Sequence, residues 1–406
     1  MAGAPPDGVP VPPDGRLEPA ALGQLGGASL GIYVHVPFCA TRCGYCDFNT
    51  YTAAELGGGG SRDGYAGLAG AEVRLARRVL GAAAPPVSTV FFGGGTPTLL
   101  PPADLAAILG AIGSEFGLAP GAEVTTEANP ESVDPRSLAR LREAGFTRIS
   151  LGMQSAAEHV LKVLDRSHMP GRPEQCVAWA RSAGFDHVSL DLIYGTPGET
   201  ADDWELSVRS AIGAGPDHVS AYALTVEEGT RLAARIRRGD LDPPDDDAMA
   251  DGYLAADDLL AAAGYTWYEI SNWAAGPGSA CRHNLLYWSG GNWWGVGPGA
   301  HSHVGGTRWW NVRHPAAYAA RITAGRSPGQ AREILTPAER STERIMLETR
   351  LATGCAVTAL GPAGRRAAST AVADGLAEPG AYGAGRLVLT RTGRLLADAV
   401  VRNLTG

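Results

Sequence analysis

Three cysteines define the chemistry open to this chain. In the stretch YVHVPFCATRCGYCDF, residues 33–48, Cys39, Cys43 and Cys46 form a C-x3-C-x2-C pattern just after a short apolar, β-branched run. Three thiols this close in one loop cannot all pair with one another, but they can converge on one point, as metal ligation requires. The C-x2-C spacing alone is a common zinc signal, whereas iron–sulfur clusters usually take four cysteines. Three ligands leave one metal position open to a substrate or cofactor. A Cys3His zinc site that adds His35 is the alternative.

Other residues could serve the same centre. Residues 93–98, GGGTPT, follow the apolar run VFF. Consecutive glycines let a ligand approach the main chain, whose N–H and C=O groups can hold the charged end of a small molecule. Alone this could be only a turn; one strand after the cysteine loop it is a stronger signal. Glu127 in TTEANP, Gln154 in LGMQS, Arg166 in LDRSH and Asp191 in SLDLIYG each stand beside an apolar run. His283 opens HNLLYW, an imidazole flanked by aromatics, with Cys281, His301 and His303 as weaker candidates nearby. Cys176 and Cys355 fall in helical or helix-end contexts and read as small core residues.

The elements that must position these residues repeat from residue 31. Strand-like runs at 31–36, 88–92, 123–127, 148–152, 187–193 and 218–223 alternate with helix-like segments at 65–80, 103–116, 135–144, 173–183 and 200–214. Several of the helices end near glycine, at Gly145, Gly184 and Gly215. Six βα units imply a parallel sheet with right-handed crossovers. Candidate residues at the C-terminal ends of most strands favour an α/β partial (β/α)6 barrel over an open sheet.

Beyond the barrel, GDLDPPDDD (239–247) reads as a solvated turn before a helix at 248–263. Residues 265–272 read as a strand and 281–304 as a structured loop. A helical segment from 336, a strand at 386–390 and a helix at 393–404 suggest a small α+β, winged-helix-like domain capping the barrel. The expected division is a disordered Pro- and Gly-rich tail over 1–30, the barrel over 31–265, a connecting region over 266–335 and the C-terminal domain over 336–406.

Composition limits the partners. The chain has 406 residues, 45% hydrophobic and 19% charged, which is a globular balance with a sizeable core. A net charge of −8 argues against nucleic acid. Six cysteines, three clustered and three scattered, do not make a disulfide framework. The first residues lack the basic start and apolar run of a secretory signal, and no apolar stretch of about 18 residues suggests a membrane span. A reducing cytoplasm is the expected compartment.

Taken together, the cysteine loop, GGGTPT and the strand-end polar residues resemble the radical S-adenosylmethionine (radical SAM) superfamily. YVHVPFC and GGGTPT are similar to its branch of oxygen-independent coproporphyrinogen III oxidases and heme chaperones. The resemblance runs from residue 31 to the C-terminus and implies a TIM-like barrel. It implies that Cys39, Cys43 and Cys46 hold a [4Fe–4S] cluster whose fourth iron takes the amino and carboxylate groups of S-adenosylmethionine (SAM). Reductive cleavage of SAM then gives a 5′-deoxyadenosyl radical. Tyr33 would line the cluster side and Tyr45 would touch the adenine. Gly94, Gly95 and Thr96 would bind the methionine end, and Glu127, Gln154, Arg166 and Asp191 would complete the SAM site. A zwitterionic sulfonium ligand suits carboxylates near its cationic groups and an arginine near its carboxylate. The plainer alternative for any one of them is a helix cap or a structural ion pair.

Two features separate the members of the branch. Its oxidases carry a fourth cysteine two positions after the third, where this chain has Phe48. HNLLYW matches the HNxxYW motif of the heme-chaperone group, whose histidine is implicated in heme binding. The resemblance therefore implies a chaperone without coproporphyrinogen oxidase activity, with His283 as a heme-iron ligand among aromatics that suit a flat macrocycle. It would pass heme to an acceptor protein, as a monomer or homodimer, with membrane contact at most peripheral and through that acceptor. The rivals are the oxidase itself and a radical methyltransferase or other SAM enzyme.

Overall fold

The computed structural model describes residues 8–56 and 62–406. Its framework is one sheet of 13 strands. In chain order these are β1 (Val9–Pro10), β2 (Leu30–Val36), β3 (Val87–Gly94), β4 (Leu118–Ala128), β5 (Arg148–Gln154), β6 (His187–Tyr194), β7 (His218–Ala223), β8 (Thr266–Glu269), β9 (Asn272–Ala274), β10 (Asn292–Val296), β11 (His301–Val304), β12 (Thr307–Asn311) and β13 (Gly329–Ile334). Strands β2 to β7 lie side by side and parallel, in sequence order. They are the six strands expected from the apolar runs. The helices between them, including Tyr65–Leu80, Pro102–Phe116, Pro135–Glu143, Arg172–Ser182 and Ala201–Ala214, match their expected places to within a residue or two at each end.

Alternation along the strands gives the barrel two unlike faces. Ile32, Val34, Val90, Phe92, Ile149, Leu151, Val188 and Leu190 point outward, fully buried in the main core beneath the helices. The inward face is polar. Arg148 donates to Ser189 across β5 and β6 at 3.0 Å, and Ser150 and Ser220 donate to the two carboxylate oxygens of Asp191 at 2.9 and 2.7 Å. Polar groups are costly to bury unless hydrogen-bonded, and these bond one another across the strands.

The structure corrects the expectations for residues 8–30 and 266–335. Residues 266–335 do not connect domains; they extend both edges of the barrel sheet. The hairpin β8–β9 pairs antiparallel with β7, while β10 runs parallel to β2 and carries β11, β12 and β13 beyond it. Residues 281–304 are accordingly a helix, Arg282–Trp288, with two strands, and not a loop. The disordered tail does not extend over residues 8–30. There β1 pairs with β13 (Val9 opposite Arg332), and Leu17, Ala21 and Leu25 are buried. Residues 1–7 of that expected tail lie outside the described residues.

The C-terminal domain has its own small core, built from Ile345, Leu360, Ala368, Leu387, Leu389, Val400 and Leu404. Its helices Pro337–Glu348, Pro362–Ala373 and Ala397–Thr405 surround a two-stranded ladder of β14 (Cys355–Ala356) and β15 (Arg386–Leu387). The expected strand at 386–390 is thus only two residues long, and the expected helix at 393–404 breaks at Leu396. Arg394 ties the domain to the barrel through Asp257 at 2.7 Å. Cys176 and Cys355 are buried and free, as small core residues should be. No helix among the described residues is long and apolar enough to cross a membrane.

Candidate functional site

The cysteine loop leaves the C-terminal end of β2 and is braced on three sides. Phe38 accepts the Thr96 N–H at 2.7 Å and Val36 that of Gly95 at 2.8 Å, so GGGTPT pins the start of the loop. These glycines answer first to the protein's own packing. A Cβ on Gly95 would lie 2.5 Å from the Phe38 oxygen, and one on Gly94 (φ 107°) would lie 2.5 Å from the His35 ring. On a second side Gly44 donates to Leu164 (3.1 Å) and accepts from Leu232 (2.9 Å), while Tyr45 packs in a satellite core with Val160, Leu164, Ile193 and Leu232. On the third side Asn49 donates to the carbonyls of Pro298 (3.0 Å) and Arg313 (2.9 Å).

His35 is part of that bracing. Its Nε2 donates to the Asn49 carbonyl at 2.9 Å, so its Nδ1 accepts from the Tyr33 hydroxyl at 3.1 Å. Burial pushes the imidazole down to about 4 and keeps it neutral. With both nitrogens used, His35 is not placed as a fourth metal ligand, which removes the ground for the Cys3His alternative.

Cys39, Cys43 and Cys46 are free and half-buried. As they stand, no three His, Cys, Asp or Glu side chains among the described residues form a ready metal-binding group. Burial raises the thiols of Cys39 and Cys46, the latter to about 11. Metal binding to this loop would therefore release protons.

Beneath the loop the barrel gathers the strand-end residues. Glu127 accepts from the Gly94 N–H at 3.1 Å. Burial, then the nearby Asp191, push its carboxyl up to about 8, against the pull of that N–H. Burial also raises Asp191. Arg166 reaches Gly152 O at 2.8 Å, Asn129 Oδ1 at 3.0 Å and the Cys43 sulfur at 3.5 Å, while its buried Nε lacks a partner among the described residues. Gln154 follows a register shift in β5 and holds φ at 63°, a sparsely populated region for a side-chain-bearing residue. Asn129 is the residue that sequence reading missed: it donates to Thr96 Oγ1 at 3.0 Å while accepting from Arg166. It sits in the quoted TTEANP, so its signal was a polar residue just past a strand end.

His283 stands apart from this group, at the opposite end of the barrel. It is 1% exposed, stacked on Phe91 at 5.3 Å, with Nδ1 2.8 Å from Thr89 Oγ1 and Nε2 2.9 Å from the Tyr287 hydroxyl. Burial alone pushes it down to about 3. Its neighbours in HNLLYW are likewise engaged, with Asn284 donating to the buried Glu269 at 2.8 Å. Close by, Glu123 accepts from Arg148 (3.1 Å) and from the His283 main-chain N–H (3.0 Å). The helix Arg282–Trp288 thus plugs the barrel floor.

Comparison with known proteins agrees with this architecture. The family model "Radical SAM superfamily" matches residues 33–211. The chain is 54% identical to the heme chaperone HemW of Mycobacterium tuberculosis, over 96% of this chain and 98% of that one. It is 36% identical to the heme chaperone HemW of Synechocystis, over 79% and 78%. Among solved structures it resembles the coproporphyrinogen III oxidase HemN from Escherichia coli, a radical SAM enzyme. That match has a TM-score of 0.79 and 21% identity and covers 95% of this chain and 92% of that one, a likeness of fold. The protein whose cysteine loop caps this polar lumen belongs to the heme chaperone HemW family of radical SAM proteins.

Proposed function

We propose that this chain binds a [4Fe–4S] cluster through Cys39, Cys43 and Cys46, holds SAM in the upper lumen, and carries heme to an acceptor protein in the cytoplasm. The observation that carries the SAM assignment is the buried pair Glu127 and Asp191. Burial raises both carboxyls and Asp191 raises Glu127 further, and a cationic ligand would relieve both. When bound, the cluster would supply the electron that breaks a sulfonium carbon–sulfur bond. The protein's part is to hold the reactants: Glu127 and Asp191 oppose positive charge, and Arg166, steered by Asn129, offers its unpartnered Nε to an acid group. Gly94, Gly95 and Thr96 set the wall nearest the cysteines, with Tyr33 beside them. Tyr45, anchored in the satellite core, fixes the loop between two of its ligands.

Heme is supported by the two relatives' names, and the floor does not fit it. Both His283 nitrogens are partnered and the side chain is enclosed, so no step is assigned to that residue.

The test is an anaerobic heme titration followed by absorbance, with coproporphyrinogen turnover assayed on the same preparation. Saturable binding without product is expected. Product formation with no saturable heme binding would move the protein to the oxidase class.

A further inference from the structure

We propose that heme docks by its propionates in the depression beside the cysteine loop. This deepens, and rests on, the heme-carrier reading. The depression has a volume of about 920 Å³ and is lined by Arg42, Cys43, Cys46, Phe48, Arg231 and Arg313, among others, so its occupant would lie against the cluster loop. That size suits a cofactor-sized ligand.

Its chemistry is amphipathic. Phe48 is 61% exposed, a large apolar ring left uncovered next to the cysteines. Around it stand three guanidinium groups. Arg42 donates from Nη2 to the Thr50 carbonyl, and its buried Nε has no partner among the described residues. Among the described residues the Arg313 guanidinium makes one long hydrogen bond, from its Nε to Asn49 Oδ1 at 3.5 Å. Arg231 reaches Asp165 at 3.4 Å and the Arg42 carbonyl at 2.7 Å from a largely exposed side chain. Two carboxylates share the wall: Asp47, and Glu55, which lies 3.5 Å from Arg42. Exposed pairs of this length are weak and readily exchanged for a better partner. The three guanidinium groups face three carboxylates, Asp47, Glu55 and Asp165, in exposed pairs that an incoming acid can replace. Arginine forks bind carboxylates in a bidentate manner, so the fitting occupant is a flat apolar molecule carrying two carboxylates. The barrel floor, by contrast, presents one histidine with no free nitrogen.

The experiment titrates anaerobically reconstituted full-length protein with hemin, metal-free protoporphyrin IX and protoporphyrin dimethyl ester, read by quenching of tryptophan fluorescence. Hemin and protoporphyrin IX are expected to bind alike, and the ester at least tenfold more weakly. An Arg231→Ala/Arg313→Ala double variant should weaken both acids at least tenfold and erase their advantage over the ester. Phe48→Asp, at an exposed position that does not threaten folding, should weaken all three. Wild-type affinity for both acids in the double variant, with its melting temperature unchanged, would overturn the proposal and leave heme binding elsewhere. No porphyrin binding by the wild-type protein would overturn the heme-carrier reading, and this proposal with it.

Discussion

The two ends of the barrel solve opposite problems. At the floor, the polar side chains of the helix Arg282–Trp288 find partners: His283 uses both nitrogens, Asn284 holds Glu269, and the buried Glu123–Arg148 pair closes the lumen at 3.1 Å. At the rim, Asp191 raises the carboxyl of Glu127, Arg166 Nε has no partner among the described residues, and Gln154 holds a costly backbone angle. Native proteins satisfy buried polar groups where stability is at stake and leave them wanting where a ligand is to come. The floor is built for rigidity and the rim for occupancy.

The contrast can be broken most sharply at the rim. Cys43→Ala should abolish the iron–sulfur absorbance after anaerobic reconstitution and leave the thermal unfolding of the metal-free chain almost unchanged. Full iron content in the variant would refute the ligand assignment. At the floor the expectation reverses. Arg148→Met leaves Glu123 buried and unpaired, since the two side chains are 1% and 3% exposed. Losing one partner of such a pair costs about 3–5 kcal/mol, which denaturant unfolding would read, while cluster content per folded molecule should hold.

His283→Ala follows at about 2–3 kcal/mol, for two lost hydrogen bonds and a cavity beside Phe91. A variant as stable as wild type that loses its cluster would invert the comparison. The gentlest perturbation is a change of pH. The Glu127 carboxyl sits at about 8 when folded, against an ordinary 4.5. The folded chain therefore keeps a proton that the unfolded chain has lost between those values. The stability this group lends is full below about 4.5 and fades as pH rises through 8. A cation beside it needs the carboxylate, so SAM affinity, measured by calorimetry, should rise with pH up to about 8, by at most about tenfold per unit. Glu127→Gln should flatten that slope; an equal slope in the variant would show that the cation sits elsewhere.

How much of this could be read from the sequence follows from the range of each interaction. The six parallel strands and their helices were legible because each carries its own periodicity and turn residues. The site residues were legible because they stand at strand ends. What the sequence hid lies between distant segments. Residues 266–335 contribute short Trp- and Gly-rich strands whose partners, β2 and β7, are remote in the chain, so they read as a connection. Residues 8–30 have the composition of a tail, yet Leu17 and Leu25 reach the core and β1 finds β13. HNLLYW was visible as a motif but not as a floor, because its burial comes from Thr89 and Phe91 on β3.

The bracing of the cysteine loop by Asn49 has a consequence in time. Its side-chain amide nitrogen donates to the carbonyls of Pro298 and Arg313, 249 and 264 residues downstream. Contacts of such separation form late, after the intervening chain has been made and the loop-closure entropy met. During synthesis the three thiols emerge early and wait on an unfinished loop. The protein must keep them reduced through most of its own translation, and iron can meet a fully braced loop only once the far edge of the sheet has docked.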